Sequence, residues 1–183
     1  VWVRADLDRD GNGVPDFDQQ QSTWTYAATQ AWTYDGPVAA ANSLWWFDSK
    51  HETGTAPPPS ASDHYTLVTP YGAWDDHDAR NVPPLVQDLA TRMQTNQGHA
   101  GTLNNDVATG LLSYLQSKDM SAYYSVVTRT VPSYNWVQDA IKRSNDAVLL
   151  LGFWERQSSG WKRLGGHYVT AAGVSCYENV IAI

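Results

Sequence analysis

The sequence predicts an α+β fold, with N-terminal helices packed on a C-terminal antiparallel sheet. Three observations carry that expectation. Apolar residues recur at helical spacing in four stretches before residue 144. Three β-rich runs then occupy the tail, broken by Ser158-Ser159-Gly160 and by residues 175–178. Helices first and strands last also disagree with repeated βαβ units. At 183 residues and 20.3 kDa the chain can fill one core, and is short for two ordinary domains.

The elements follow in order. Residues 37–50 form a helix with Val38, Ala41, Leu44, Trp45 and Phe47 on one face, opened by Asp35-Gly36-Pro37 with Asp35 as N-cap. Residues 53–63, with Pro57-Pro58-Pro59, are a loop that continues irregularly to Asp78. Helices are expected over 85–94 and 104–116, the second with Val107, Leu111, Leu112 and Leu115 as its stripe. Residues 123–130 alternate as a strand. Ser133 caps a helix over 134–143 that turns Trp136, Val137, Ala140 and Ile141 inward. Strands close the chain over 147–154, 167–174 and 179–183.

Charge excludes one class of partner. Twelve Lys and Arg against nineteen Asp and Glu give a net charge of −7 and a pI near 5.0, and nucleic acid requires a basic face. No apolar run approaches the roughly 20 residues of a membrane span. The start, Val-Trp-Val-Arg, shows no signal peptide and reads as a mature or excised segment. A single cysteine, Cys176, excludes an internal disulfide framework. Nine Trp and ten Tyr stand against three Phe. Rings with a polar handle suit a core rim, a groove or a carbohydrate-contacting surface. Trp24, Trp32, Trp45, Trp46, Trp154 and Trp161 lie near the two motifs described below, which favours an aromatic-walled cleft.

The first twenty residues are the most acidic. Counted from Asp8, oxygen donors fall at loop positions 1, 3 and 5 (Asp8, Asp10, Asn12), Gly13 at the turn, the Val14 carbonyl at 7 and Asp16 at 9. That is the spacing with which a tight loop surrounds Ca²⁺. Position 12 holds Gln19 in place of a bidentate acid, a departure that weakens the site unless Asp6 or Asp18 contributes. The run resembles the calcium loops of dockerins and thrombospondin type 3 repeats. The resemblance implies bound calcium and an extracellular or cell-surface setting. Residues 1–22 are therefore read as a calcium-loop segment and 23–183 as the folded domain.

Two further segments belong together: Gln30-Ala-Trp32-Thr-Tyr34-Asp35-Gly36-Pro37, opening the first helix, and Gly165-Gly166-His167-Tyr168-Val169 in a late strand. With Gly101-Thr102, Asp106 and Gly110-Leu111 between them, they resemble the papain-like fold. The closer likeness is to the bacteriocin-processing (double-glycine leader) peptidases and their secreted prokaryotic relatives, over residues 24–183. In that family a Gln precedes a Cys-Gly-Pro that opens a helix, and a Gly-His-Tyr-Val strand follows. A thiol there gains thiolate character from the helix N-terminus, the imidazole serves as base and acid, and the Gln amide supports the oxyanion. The resemblance places Gln30 on the oxyanion donor, His167 on the base and Asp35 on the nucleophile position.

Asp35 thus stands where the family has Cys. A carboxylate is a poor acyl nucleophile, so the expectation is an N-cap that pairs with His167 without reactivity. Cys176 and Ser43 are read as structural and do not replace the thiol. The family's third group, an Asn or Asp past the strand after the His strand, has no counterpart before Ile183, and Glu178 is not favoured, so the domain is expected to be truncated at its end. Trp32, Tyr34 and Gly166 are candidates for the groove, with one of Trp45 and Trp46 lining it as well. His51, His64, His77 and His99 show no ligand spacing, and Asp75-Asp76-His77-Asp78 reads as a solvated loop rather than a metal cluster. The expected function is a non-catalytic peptidase-like module that binds a peptide or protein segment. An active peptide-bond hydrolase and a calcium-stabilised surface or adhesion module are the alternatives.

Overall fold

The computed structural model describes residues 2–4 (as backbone), 14–51, 65–73 and 76–183. Asp8, Asp10, Asn12, His64, Trp74, Asp75 and the loop expected at 53–63 lie outside the described residues. The elements are strand β1 (Trp2–Arg4), helix α1 (Asp35–His51), a 3-10 turn (Ala79–Asn81), and helices α2 (Val82–Arg92), α3 (Asn104–Ser117) and α4 (Tyr134–Lys142). Strands β2 (Val148–Gln157), β3 (Gly160–Thr170), β4 (Gly173–Ser175) and β5 (Val180–Ala182) complete the chain. Helices dominate the front and antiparallel strands the end, so the mixed α+β class holds.

The core forms around α1, which is buried on nearly every side. Its sequence reads Gly-Pro-Val-Ala-Ala-Ala-Asn-Ser-Leu-Trp-Trp, and Ala40, Ala41 and Trp46 are fully enclosed. A helix apolar all round belongs at a centre rather than a surface. The alanines let β3 approach closely enough for Thr170 Oγ1 to donate to the Ala39 carbonyl at 2.9 Å. Both Trp45 and Trp46 are core residues, so neither lines a groove; Trp45 takes the edges of Phe17 and His77, at 5.2 and 4.9 Å between ring centroids. Burying one such ring contributes on the order of 2–3 kcal/mol. Leu85, Val86 and Leu89 of α2 and its C-cap Met93, with Tyr114 and Leu115 of α3, cover another side. Gly110 lets α3 reach the end of α2, because a Cβ there would stand 2.4 Å from Met93 Cγ and 2.9 Å from its backbone nitrogen.

Two antiparallel sheets carry the strands. One is a β2–β3 ribbon joined by the two-residue turn Ser158-Ser159; the other has the order β1-β4-β5. The strand expected over 167–174 is two strands, because the chain changes partner at Ala171-Ala172. Ala171 N still bonds Ala147 O, whereas Ala172 N bonds Ala182 O. β1 pairs with β4 in the register Trp2↔Ser175, so the N-terminal segment begins inside the C-terminal sheet. The strand expected over 123–130 does not form. Tyr124 and Val126 pack on the core while Tyr123 and Val127 face solvent, but among the described residues no strand pairs with this segment. Ser133 does cap α4, its Oγ accepting from Trp136 N at 3.2 Å.

Candidate functional site

Asp35 starts α1 and His167 lies in β3, and the two meet at the edge of the core. Asp35 Oδ2 is 3.1 Å from His167 Nδ1 and accepts the Tyr168 backbone N–H at 2.9 Å. Asp35 is therefore not the N-cap that its sequence position suggests. It is the first helical residue, and the strand takes its carboxylate. Its negative charge is still favourable at a helix N-terminus, by about 0.3–1 kcal/mol. Gly36 makes the junction possible, since a Cβ there would sit 3.1 Å from Thr102 Oγ1 and 3.5 Å from Tyr168 Cδ2. Tyr168 is fixed at its far end, where its hydroxyl donates to Asn104 Oδ1 at 3.0 Å. Burial, and then the Asp35 charge, push the Tyr168 phenol up to about 12.

The pair faces a cleft of about 620 Å³. Asp35, Val38 and Asn42 of α1 form one side, His167 and Thr170 of β3 another, and residues 14–20 the third. That third wall is tied down at Phe17, whose N–H donates to Asn42 Oδ1 at 3.1 Å while its ring meets Trp45.

The other expected site residues divide. Gln30 occupies an exposed turn at φ 55°, and its side-chain amide donates to the Ala27 carbonyl at 2.8 Å. The amide is spent on its own turn, and Gln30 is not part of the cleft wall. Tyr34 is buried and stacked on Trp24, with centroids 5.5 Å apart, so it belongs to the core and not to a groove. Trp32 is half-exposed, in a bridge with Thr25. Gly166 is exposed on β3. Ser43 is buried and donates to the Ala39 carbonyl, and Cys176 is exposed in the turn after β4. Glu178 lies in that same turn.

Of the donors expected for a calcium loop, Val14, Asp16 and Gln19 are described, and all three line the cleft. Gln19 Oε1 is buried without a hydrogen bond among the described residues, which leaves one amide oxygen available as a hard-cation donor. Asp18 already serves a local turn, accepting from Gln20 N at 2.8 Å.

Sequence reasoning missed a second polar group. Asp76 and His77 are not a solvated loop; Asp76 is buried and His77 largely so, both against α1, where Asp48 and Ser49 meet them. His77 Nε2 lies 2.8 Å from Ser49 Oγ and 3.6 Å from Asp48 Oδ2, and Nδ1 lies 3.1 Å from Asp76 Oδ1. Asp48 Oδ1 accepts from Val68 N at 2.7 Å and so anchors the segment after the undescribed loop. Asp48, Asp76 and His77 offer ligand atoms within 4.8 Å of one another and are the group, among the described residues, that could hold a metal ion. Besides the Asp75-Asp76-His77-Asp78 run, the sequence signal is Asp48-Ser49, two polar residues that directly follow the Leu44-Trp45-Trp46-Phe47 stretch of α1 and are buried in it.

The Asp35–His167 arrangement has definite chemical capacity. An imidazole that donates Nδ1–H to a carboxylate keeps Nε2 as a base. His167 makes no hydrogen bond through Nε2 among the described residues, and its side chain is 39% exposed. No Ser, Thr or Cys hydroxyl or thiol bonds to that nitrogen among the described residues. No protein-family model, no curated protein and no solved structure matches this chain.

Proposed function

We propose that this is a secreted, papain-like peptidase-like domain that binds an extended peptide or protein segment in the Asp35–His167 cleft without cleaving it. The observation that carries the reading is the double engagement of Asp35 Oδ2 by His167 Nδ1 and Tyr168 N. A group at the nucleophile position that is already bound twice to the strand is a structural tie, and a carboxylate forms only a high-energy anhydride with an amide. The cleft supports peptide binding because it encloses about 620 Å³, has polar groups at Asn42 and Thr170 and is walled by Phe17 and Val38. Calcium, where bound at the N-terminal loop, supplies charge neutralisation for Asp8, Asp10 and Asp16 and fixes the wall formed by residues 14–20. No helix among the described residues is long and apolar enough to cross a membrane.

Asp35→Cys provides the test. The variant should become labelled at residue 35 by a thiol-directed peptide probe, while the unmodified protein leaves a peptide panel intact. A folded Asp35→Cys protein that resists labelling would remove the family assignment of this site. Peptide hydrolysis by the unmodified protein that disappears in His167→Ala would replace the binding reading by a second one. In that reading His167, oriented by Asp35, takes a proton from a cleft water through Nε2; the open Nε2 is the observation that favours it.

A further inference from the structure

The β2–β3 ribbon extends well beyond the helices. Val148 and Leu150 at its base pack on the core, but from Gly152 outward and back to Gly166 every residue is exposed. Pairing registers assign its two faces. Leu150↔Tyr168, Gly152↔Gly166, Trp154↔Arg163 and Arg156↔Trp161 share one face, since directly opposed residues in an antiparallel pair point the same way. The register shift after Phe153 makes Leu164 the extra residue and brings Arg163 onto this face. Glu155 and Lys162 pair on the other face, with Leu151 and His167. The outer part of the first face is therefore two Trp and two Arg set crosswise, with no acidic residue.

Two glycines pre-organise this face. Trp154 Nε1 and Arg163 Nη2 each lie 2.9 Å from where a Cβ on Gly152 or Gly166 would stand, so both side chains fold back over a bare backbone platform. Arg163 Nε also donates to the Gly165 carbonyl at 3.3 Å. Trp154 and Trp161 are nevertheless 56% and 67% exposed. A ribbon of two strands gains little by itself from presenting two large rings to water. Trp and Arg are the residues that dominate the energy of protein contacts, and rings held in place lose less freedom on binding.

We infer that the Trp154–Arg156–Trp161–Arg163 face of the ribbon is a docking surface for an acidic peptide segment of a partner protein. Charge complementarity selects that occupant. Arg156 and Arg163 make this face locally cationic on a chain whose net charge is −7, and its complement is an extended chain whose carboxylates meet the two arginines and whose apolar side chains lie on the two rings. This surface is separate from the Asp35–His167 cleft and stands or falls independently of it.

The experiment uses a labelled short peptide that alternates Glu with Leu and Phe, and its counterpart with Gln for Glu, read by fluorescence anisotropy. The protein should bind the Glu peptide about tenfold more tightly than the Gln peptide, and raised salt should erase most of that difference. Arg156→Glu/Arg163→Glu should lose the preference, and Trp154→Ala/Trp161→Ala should weaken both peptides, with far-ultraviolet circular dichroism unchanged because all four residues are on the surface. Equal binding of the two peptides, or a preference that survives the charge reversal, would overturn the inference. So would tighter binding of single-stranded RNA or of anionic lipid vesicles than of the Glu peptide, because the occupant would then be of another class.

Discussion

The carboxylate of Asp35 binds β3 at two adjacent residues: the ring nitrogen Nδ1 of His167 at 3.1 Å, and the backbone nitrogen of Tyr168 at 2.9 Å. One side chain thus joins the start of the central helix to a strand 132 residues later. The same bond sets the orientation of the imidazole and leaves its other nitrogen without a hydrogen bond among the described residues. Structural tie and site geometry are one feature here.

Removing it should be costly. Asp35→Ala strands the Tyr168 N–H and frees the His167 ring, and should lower stability by about 1–3 kcal/mol in urea titration. Asp35→Asn keeps an acceptor and should recover more than half of that loss. Equal losses in the two variants would show that charge, not hydrogen bonding, makes the connection.

His77 should matter to stability and not to cleft binding. It stands between Asp48 and Asp76, both buried, and touches Trp45 on the core side. His77→Ala takes the imidazole from two buried carboxylates and should cost about 3 kcal/mol. Denaturant midpoints measured at neutral pH check this, and a loss within 0.5 kcal/mol, the size of an ordinary surface change, would contradict the network described.

Gly110 tests the packing of α3 on α2. Alanine there gains about 1 kcal/mol of helix propensity. The added Cβ meets the backbone nitrogen of Met93 at 2.9 Å, which cannot swing away, and overpacking costs about 1–3 kcal/mol. Gly110→Ala should melt below the parent; a higher midpoint would mean that the two helices separate freely.

These cases show what was legible. The helices could be read because each apolar stripe has a matching wall: Val137 and Ile141 of α4 meet Ala171 and Val174, and Val107 and Leu115 meet the α1 cluster. Asp35 and His167 could be paired because their short motifs carry chemistry as well as packing. The strand over 123–130 could not be judged, because alternation describes any extended segment with one side on a core, and only a partner's hydrogen bonds make it a strand. β1 was too short to signal itself. The Asp48–Asp76–His77 group was hidden because Asp48 lies far in sequence from the adjacent Asp76 and His77, and the acidic run around those two suits a solvated surface when Asp48 is not set beside it. Gln30 was assigned through the family resemblance and Tyr34 by neighbourhood to Asp35, whereas a local turn and a Trp24 stack decide their directions.

The calcium proposed for the N-terminal loop predicts a concentration-dependent stability. Ligand held only by the folded state adds about 2.7 kcal/mol at a hundredfold excess over its dissociation constant. Melting with calcium and with a chelator should therefore differ by several degrees, and the difference should vanish in Asp8→Ala/Asp10→Ala. Coincident melts would remove the ion from the account.

Asp146 gives the fold a pH dependence opposite to that of most carboxylates. It sits just before β2, its Oδ1 accepting from Ala147 N at 2.7 Å, while Oδ2 is buried without a hydrogen bond among the described residues. Burial pushes its carboxyl up to about 6, against the smaller opposing effects of the nearby Ser43 hydroxyl and of the Ala147 N–H. In the unfolded chain it would titrate near 3.8. Between those values the folded state holds the proton and the unfolded state does not, so its contribution to stability is full below about pH 4 and is lost as pH rises through about 6. A shift of that size corresponds to at most about 3 kcal/mol. Asp146→Asn, which keeps an acceptor for Ala147 and carries no charge, should be more stable than the parent at pH 7 by about 1–3 kcal/mol. The two proteins should converge at pH 4, where the native carboxyl is already neutral. Denaturant titrations at the two pH values decide it: an advantage for Asp146→Asn that is the same at both would assign the effect to packing, and no advantage at pH 7 would mean that water reaches Oδ2.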